Sequence, residues 1–145
     1  MIEIRWHGRG GQGAWTASNI LAQAALKEEK YAQSFPAFGP ERMGTPILAF
    51  TRISDEPIHI HCMVYNPDAI VVLDPTLLKT INVVAGLKEG GTIIVNYSNE
   101  ARELYKLLNV EAGKYRVYTV PATEIAIEVL GRPIANTAMI GSLVK

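Results

Sequence analysis

The sequence predicts an α/β fold: a doubly wound, mostly parallel sheet in one Rossmann-like domain spanning 1–145, with a β-hairpin insertion. Three observations lead there. An N-terminal apolar run stops at a cluster of glycines and is followed by a helical repeat. Three later runs, AIVVL, TIIV and RVYTV, are short and largely apolar without alternation, as suits strands covered on both faces. Segments long enough for crossover helices separate them.

The first strand is read over Ile2–Trp6, ending at RWHGRGGQG, where four glycines fall within Gly8–Gly13. Beyond them Ala17, Ile20, Leu21, Ala24 and Ala25 recur at i, i+3, i+4, i+7 and i+8, one face of a helix. Thr16, Asn19, Gln23 and Lys27 take the opposite face. SFPAFGPERMGTP, Ser34 to Pro46, holds three prolines and two glycines and reads as a structured loop. Ile47–Ile53 and Ile58–Cys62, joined by SDEP, read as the inserted hairpin.

Ala69–Leu73, Thr92–Val95 and Arg116–Val120 supply the remaining strands, with crossover helices near Thr76–Ala85 and Glu100–Leu108. After Pro121, Ala122, Ile125, Ala126, Val129 and Leu130 repeat the helical spacing, and Gly131 stops it. Asn136 is expected to cap a last helix. In such a sheet the carboxyl ends of parallel strands share one edge, where ligands bind. The glycine turn and the loops after Asp74 and Asn96 are expected there.

Composition narrows the function. Fourteen basic residues balance fourteen acidic ones, so the chain lacks the basic footprint of a nucleic-acid binder. Cys62 is the only cysteine, which rules out an internal disulfide and a cluster ligated by this chain alone. Both points suit a reducing, cytoplasmic setting. MIEIRWH lacks the apolar core of a signal peptide, and no run reaches the ~18 apolar residues of a membrane span.

Gly8, Gly10 and Gly13 fit G-x-G-x-x-G between a strand and a helix. Free amides at a helix N-terminus, with its positive dipole end, bind anions, and missing side chains let phosphate approach. Arg9 could add a bidentate contact. The same glycines could instead serve only close strand–helix packing. A dinucleotide site would also need an acidic residue about 20 positions on, at a strand end. KYAQSFPAFGPER offers none, which disfavours NAD.

Glu41 and Arg42, flanked by Phe35, Phe38 and Met43, suit a partner surface or an acidic ligand, or else a self-packed loop with an internal ion pair. His59 and His61 would share one strand face, with Cys62 on the other, so a metal site is not expected. Asp74 before Pro75 reads as a helix cap, and Trp6 as core or interface. No nucleophile stands beside a base.

HGRGGQG, FPAFGPERMGTP, NPDAIVVLD and NTAMIGSLV, in that order, resemble the gamma subunit of pyruvate (2-oxoacid):ferredoxin oxidoreductases over essentially the whole chain. Ala135 stands where that family often has proline, and Met43 where it has a small or polar residue. The resemblance also implies one or two further helices, so a C-terminally shortened domain is expected. It implies a multi-subunit enzyme that oxidatively decarboxylates a 2-oxoacid, pyruvate first, with branched-chain and 2-oxoglutarate relatives close behind. Thiamine diphosphate, iron–sulfur clusters and ferredoxin would be handled by alpha, beta and delta-type partners, since this chain has neither a Gly-Asp-Gly segment nor cysteines enough.

On that resemblance the chain alone is expected to be inactive, with no catalytic residue of its own. Coenzyme A phosphates are expected at Gly8, Arg9, Gly10, Gly11, Gln12 and Gly13, with Arg42 as a charge partner and Asn136 and Thr137 alongside. Two other readings stay open: a stand-alone NAD- or flavin-dependent reductase, and a purely structural assembly subunit.

Overall fold

A computed structural model describes residues 1–37 and 42–145. Along the chain come β1 (Ile2–Arg9), α1 (Ala14–Lys27), β2 (Tyr31–Pro36), β3 (Pro46–Ser54) and β4 (Ala69–Val72). A 3-10 turn (Pro75–Lys79), β5 (Thr92–Asn96), α2 (Ala101–Leu108), β6 (Arg116–Val120), α3 (Ala122–Leu130) and α4 (Asn136–Val144) follow. Phe38 and Glu41 lie outside the described residues.

The six strands form one sheet in the order β2-β3-β1-β4-β5-β6. β1, β4, β5 and β6 run parallel, with Trp6 beside Val71 and Ile94 beside Tyr118. β3 is antiparallel to both its neighbours, so β1 and β2 point the same way with β3 between them. The fold class is therefore the expected one: mixed α/β with a mostly parallel sheet.

Both faces of the sheet are covered over β1, β4 and β5, whereas at the edge strand β6 Arg116 and Tyr118 are exposed, so the expectation of two covered faces fails for RVYTV. On one face, Ile4, Trp6, Val71 and Ile94 pack under α1, α3 and α4 through Ala14, Ala17, Leu21, Ala122 and Met139. On the other, Ile70, Val72, Ile93 and Val95 pack under Leu78, Val83, Leu87, Leu104 and Leu108. Burial on both sides is why β4 and β5 read as unbroken apolar runs. Among the described residues, no helix is long and apolar enough to cross a membrane.

Four further expectations need correction. The hairpin pairs β3 with β2, Phe35 opposite Phe50, whereas Ile58–Cys62 forms no strand. Pairing is won by the strand that can bury something: the Phe35 and Phe50 rings pack at a tilt with centroids 5.2 Å apart, while His59, Ile60, His61 and Cys62 are exposed. With no strand there, the argument from alternating faces for His59, His61 and Cys62 lapses.

The expected crossover helix at Thr76–Ala85 is only the 3-10 turn. Thr80, Asn82, Val83 and Val84 are weak helix formers. The segment is held instead by Arg5, whose Nη2 donates to the carbonyls of Val83 (2.9 Å) and Ala85 (2.6 Å).

The buried face of α1 comprises Ala14, Ala17, Ser18, Leu21, Ala22 and Ala25, whereas Ile20 and Ala24 are exposed. Ser18 turns the helix. Its Oγ donates to the carbonyl of Phe50 (2.7 Å) and lies 2.8 Å from the hydroxyls of Ser34 and Thr51. Finally, Ala135 is the N-cap of α4 and Asn136 its first helical residue, although the Asn136 side chain still accepts the Thr137 amide at 2.8 Å.

Candidate functional site

The carboxyl edge of β1 leads into a turn and helix start whose backbone amides are largely uncommitted. α1 starts on Gly13, which sits at φ 79° and offers no capping side chain; no acidic residue occupies the first turn. Its first hydrogen bond is Ala17 N–H to the Gly13 carbonyl. The amides of Gly11, Gly13, Ala14, Trp15 and Thr16 have no backbone or side-chain partner among the described residues. A row of uncommitted donors at the positive end of a helix dipole attracts an anion.

These amides border a cleft of about 390 Å³ between the glycine turn, the first turn of α1, and Arg42, Met43 and Ile47. Antiparallel β3 delivers the far wall. Gly10 N–H donates to the Thr45 carbonyl (2.9 Å), and Gly44 N–H donates back to the Gly10 carbonyl (3.1 Å). Gly10 cannot carry a side chain, because a Cβ there would stand 2.3 Å from the Arg42 carbonyl oxygen.

The glycines thus divide their tasks. Gly8 and Gly10 permit close packing: a Cβ on Gly8 would sit 3.2 Å from that of Ala14. Gly11 and Gly13 adopt φ of 91° and 79°, which side chains resist, and they present the free amides.

The other expected site residues fall into two groups. Arg9 and Gln12 hold the turn together. Gln12 accepts from the Arg9 amide (2.7 Å) and donates to Asp74 (2.7 Å), while the Arg9 guanidinium meets Asp74 (3.2 Å), Thr76 (3.0 Å) and the Gly44 carbonyl (3.1 Å). Asp74 is the expected cap, accepting the Thr76 amide at 2.9 Å, and it also ties the β4 tip to the glycine turn. Partial burial works against its charge, yet hydrogen bonds from Thr76 and Gln12 and the nearby Arg9 hold the carboxyl below the usual carboxylate range.

Arg42 is exposed at the mouth of the cleft. Asn136, far away in sequence, arrives beside the turn. Its Nδ2 lies 2.6 Å from where a Gly13 Cβ would be, and the buried residue gives that nitrogen no hydrogen-bond partner among the described residues. Thr137 is exposed, its amide held by Asn136. Asn96, at the tip of β5, donates to the Leu73 carbonyl (2.9 Å) and to Thr123 (2.8 Å), so all three expected loops share this edge. Trp15 was not among the expected site residues, yet it lines the cleft with its indole half exposed. Its only sequence signal is an aromatic in the first turn after a glycine run.

Behind the site, His7 is buried, and its Nε2 accepts the Arg5 Nε–H at 3.1 Å. The proton of the neutral ring is then on Nδ1, which has no partner. Burial first and the Arg5 charge second push its pKa from 6.5 down to about 3. The unfolded chain therefore binds a proton below pH 6.5 that the folded chain refuses until about pH 3, and stability falls with pH across that window. Between pH 7.5 and 5 the loss from this residue is roughly 2 kcal/mol, at about 1.4 kcal/mol per pH unit. Urea titrations at both pH values should show His7→Gln losing about that much less than wild type. Equal losses would refute the assignment.

Comparison with known proteins gives a consistent picture. The chain is 57% identical over 145 residues to the pyruvate/ketoisovalerate oxidoreductases common subunit gamma of Thermococcus kodakarensis, covering 100% of this chain and 77% of that one. It is 51% identical over 142 residues to the pyruvate synthase subunit PorC of Methanocaldococcus jannaschii, covering 98% and 75%. A crystal structure of pyruvate oxidoreductase subunit PORC from Thermotoga maritima superposes with a TM-score of 0.87 at 45% identity, covering 99% of this chain and 74% of that one. With a family model matching residues 3–145, the chain belongs to the pyruvate ferredoxin/flavodoxin oxidoreductase family.

Proposed function

We propose that this chain is the gamma-type subunit of a 2-oxoacid:ferredoxin oxidoreductase and that its glycine-turn cleft holds the phosphates of coenzyme A. The complete enzyme turns 2-oxoacid, coenzyme A and oxidised ferredoxin into acyl-coenzyme A, carbon dioxide and reduced ferredoxin. Its subunit role rests on relatives named as gamma or PorC subunits over nearly all of this chain. Pyruvate is the first substrate to test, and the partners are alpha, beta and delta-type chains, working in the cytoplasm.

When bound, thiamine diphosphate would supply the electron sink for decarboxylation and iron–sulfur clusters the single-electron steps; on this reading both would be held by the partners. Cys62 is this chain's sole thiol, and no three His, Cys, Asp or Glu side chains converge among the described residues. The contribution of this chain is to bind and orient.

The carrying observation is the uncapped N-terminus of α1, whose uncommitted amides face a cleft with Arg42 at its mouth. Asn136 adds an unpartnered donor beside Gly13. Hydrogen bonds to a charged group contribute about 1.5–3 kcal/mol each, enough for a few to hold a diphosphate. An NAD-dependent reductase is less well supported, because β2 ends in Phe35–Pro36 and not in a carboxylate.

Arg42→Glu should test the site with little risk to the fold, since the side chain is exposed. In the assembled enzyme the apparent KM for coenzyme A should rise about tenfold or more, with the loss falling on KM and not on kcat. An unchanged KM would remove coenzyme A from this cleft.

A further inference from the structure

We infer that Trp15 is the platform on which the heteroaromatic base of a phosphate-bearing nucleotide stacks. This rests on the phosphate reading of the cleft, which it extends to the base. The chain has two tryptophans in opposite circumstances. Trp6 is wholly buried and its indole N–H donates to Thr51 at 2.9 Å. Trp15 is 53% exposed at the start of α1 and lines the same cleft as the free amides.

Leaving an indole in water forgoes about 25 cal/mol for every Å² of apolar surface exposed, so a use for it is worth seeking. Its position suggests one. Trp15 contributes both an uncommitted backbone N–H and an aromatic face, so a phosphate held by the first-turn amides brings its attached nucleoside towards the ring. Met43, 86% exposed, lines the same cleft with its thioether sulfur 3.0 Å from where a Gly11 Cβ would stand, and offers a polarizable contact to a base held there. Asn136, a residue only 7% exposed, sets its Nδ2 2.6 Å from where a Gly13 Cβ would stand with no hydrogen-bond partner among the described residues, so a further donor is available to acceptor atoms at this turn. Aromatic stacking is tolerant of base identity and contributes to affinity more than to selectivity.

Two measurements test this. In the assembled enzyme, Trp15→Ala should raise the apparent KM for coenzyme A about 5- to 100-fold, and Trp15→Phe should restore most of the loss. In the 145-residue chain, adenosine 3′,5′-bisphosphate should quench the exposed indole, while inorganic pyrophosphate, which lacks a base, should bind without quenching. Because Trp6 is buried, the change reports Trp15 and should vanish in Trp15→Ala. If Trp15→Ala leaves KM unchanged while Arg42→Glu raises it, stacking is overturned and the phosphate site stands. When neither variant moves KM, both readings fall. Should Trp15→Ala weaken subunit assembly alone, the indole belongs to an interface and the inference is wrong.

Discussion

Gly10→Ala is expected to destabilise the chain by about 3–5 kcal/mol, although it adds a single methyl group. That methyl would lie 2.3 Å from the Arg42 carbonyl oxygen and 3.0 Å from its carbon, both backbone atoms that cannot rotate aside. The segment Arg42–Thr45 would have to lift from the glycine turn. The Gly10–Thr45 and Gly44–Gly10 hydrogen bonds would go with it, at about 1 kcal/mol each. Overpacking adds about 1–3 kcal/mol. Gly141→Ala is the control. Nothing lies within 4 Å of its added carbon, and it sits inside α4, where alanine is favoured by about 0.5–1 kcal/mol. Urea unfolding of the two variants should move in opposite directions. A loss below about 1 kcal/mol for Gly10→Ala would mean that the two segments are not pinned together. For the same reason Gly10 is a poor probe of ligand binding, since its replacement dismantles a wall of the cleft.

The second large effect is expected at Arg52 on β3. Its side chain is 1% exposed and its Nε donates to Glu3 at 2.9 Å. Nη2 donates to the Met63 carbonyl at 3.3 Å, and the guanidinium lies 5.3 Å from the centre of the Phe35 ring. Arg52→Ala leaves Glu3 short of its best partner, with Lys88 only at 3.9 Å, and opens a void beneath Phe35. Removing one member of a buried pair costs about 3–5 kcal/mol. Replacing both, as Glu3→Gln with Arg52→Met, should recover more than half of that, because no charge is then stranded. Equal losses in the single and double variants would show that packing, not charge, governs the site.

What could be read directly from residues were the features that declare themselves locally. The glycine run marked the turn at which α1 begins, and the apolar runs at Ala69 and Thr92 marked doubly covered strands. Gly131 stopped α3 in the left-handed conformation expected of it. Failures came where distant partners decide. Ser18 is polar and buried because Ser34, Phe50 and Thr51 receive it, so hydrophobic periodicity found Ala17, Leu21 and Ala25 but rotated the buried face of α1 towards Ile20 and Ala24. Ser34–Pro36 reads as the start of a loop because proline bars a central strand, but β2 is an edge, where proline is tolerated.

The candidate site divides in the same way. Its backbone part was legible in Gly8–Gly13, whereas the roles of Arg9 and Gln12 depend on Asp74, a residue on another strand's tip. The proximity of Asn136 to Gly13 came from the family resemblance, and no local pattern could supply it.

The reversed polarity of β3 has a consequence for how relatives of this chain can diverge. An all-parallel sheet builds its binding rim only from strand exits. Here one strand contributes its entrance, with Pro46 beside Arg9, so residues 42–45 reach that rim. Substitution in 42–45 therefore reshapes what the rim meets, whereas variation in 55–68, which joins β3 to β4 at the opposite margin, leaves it untouched.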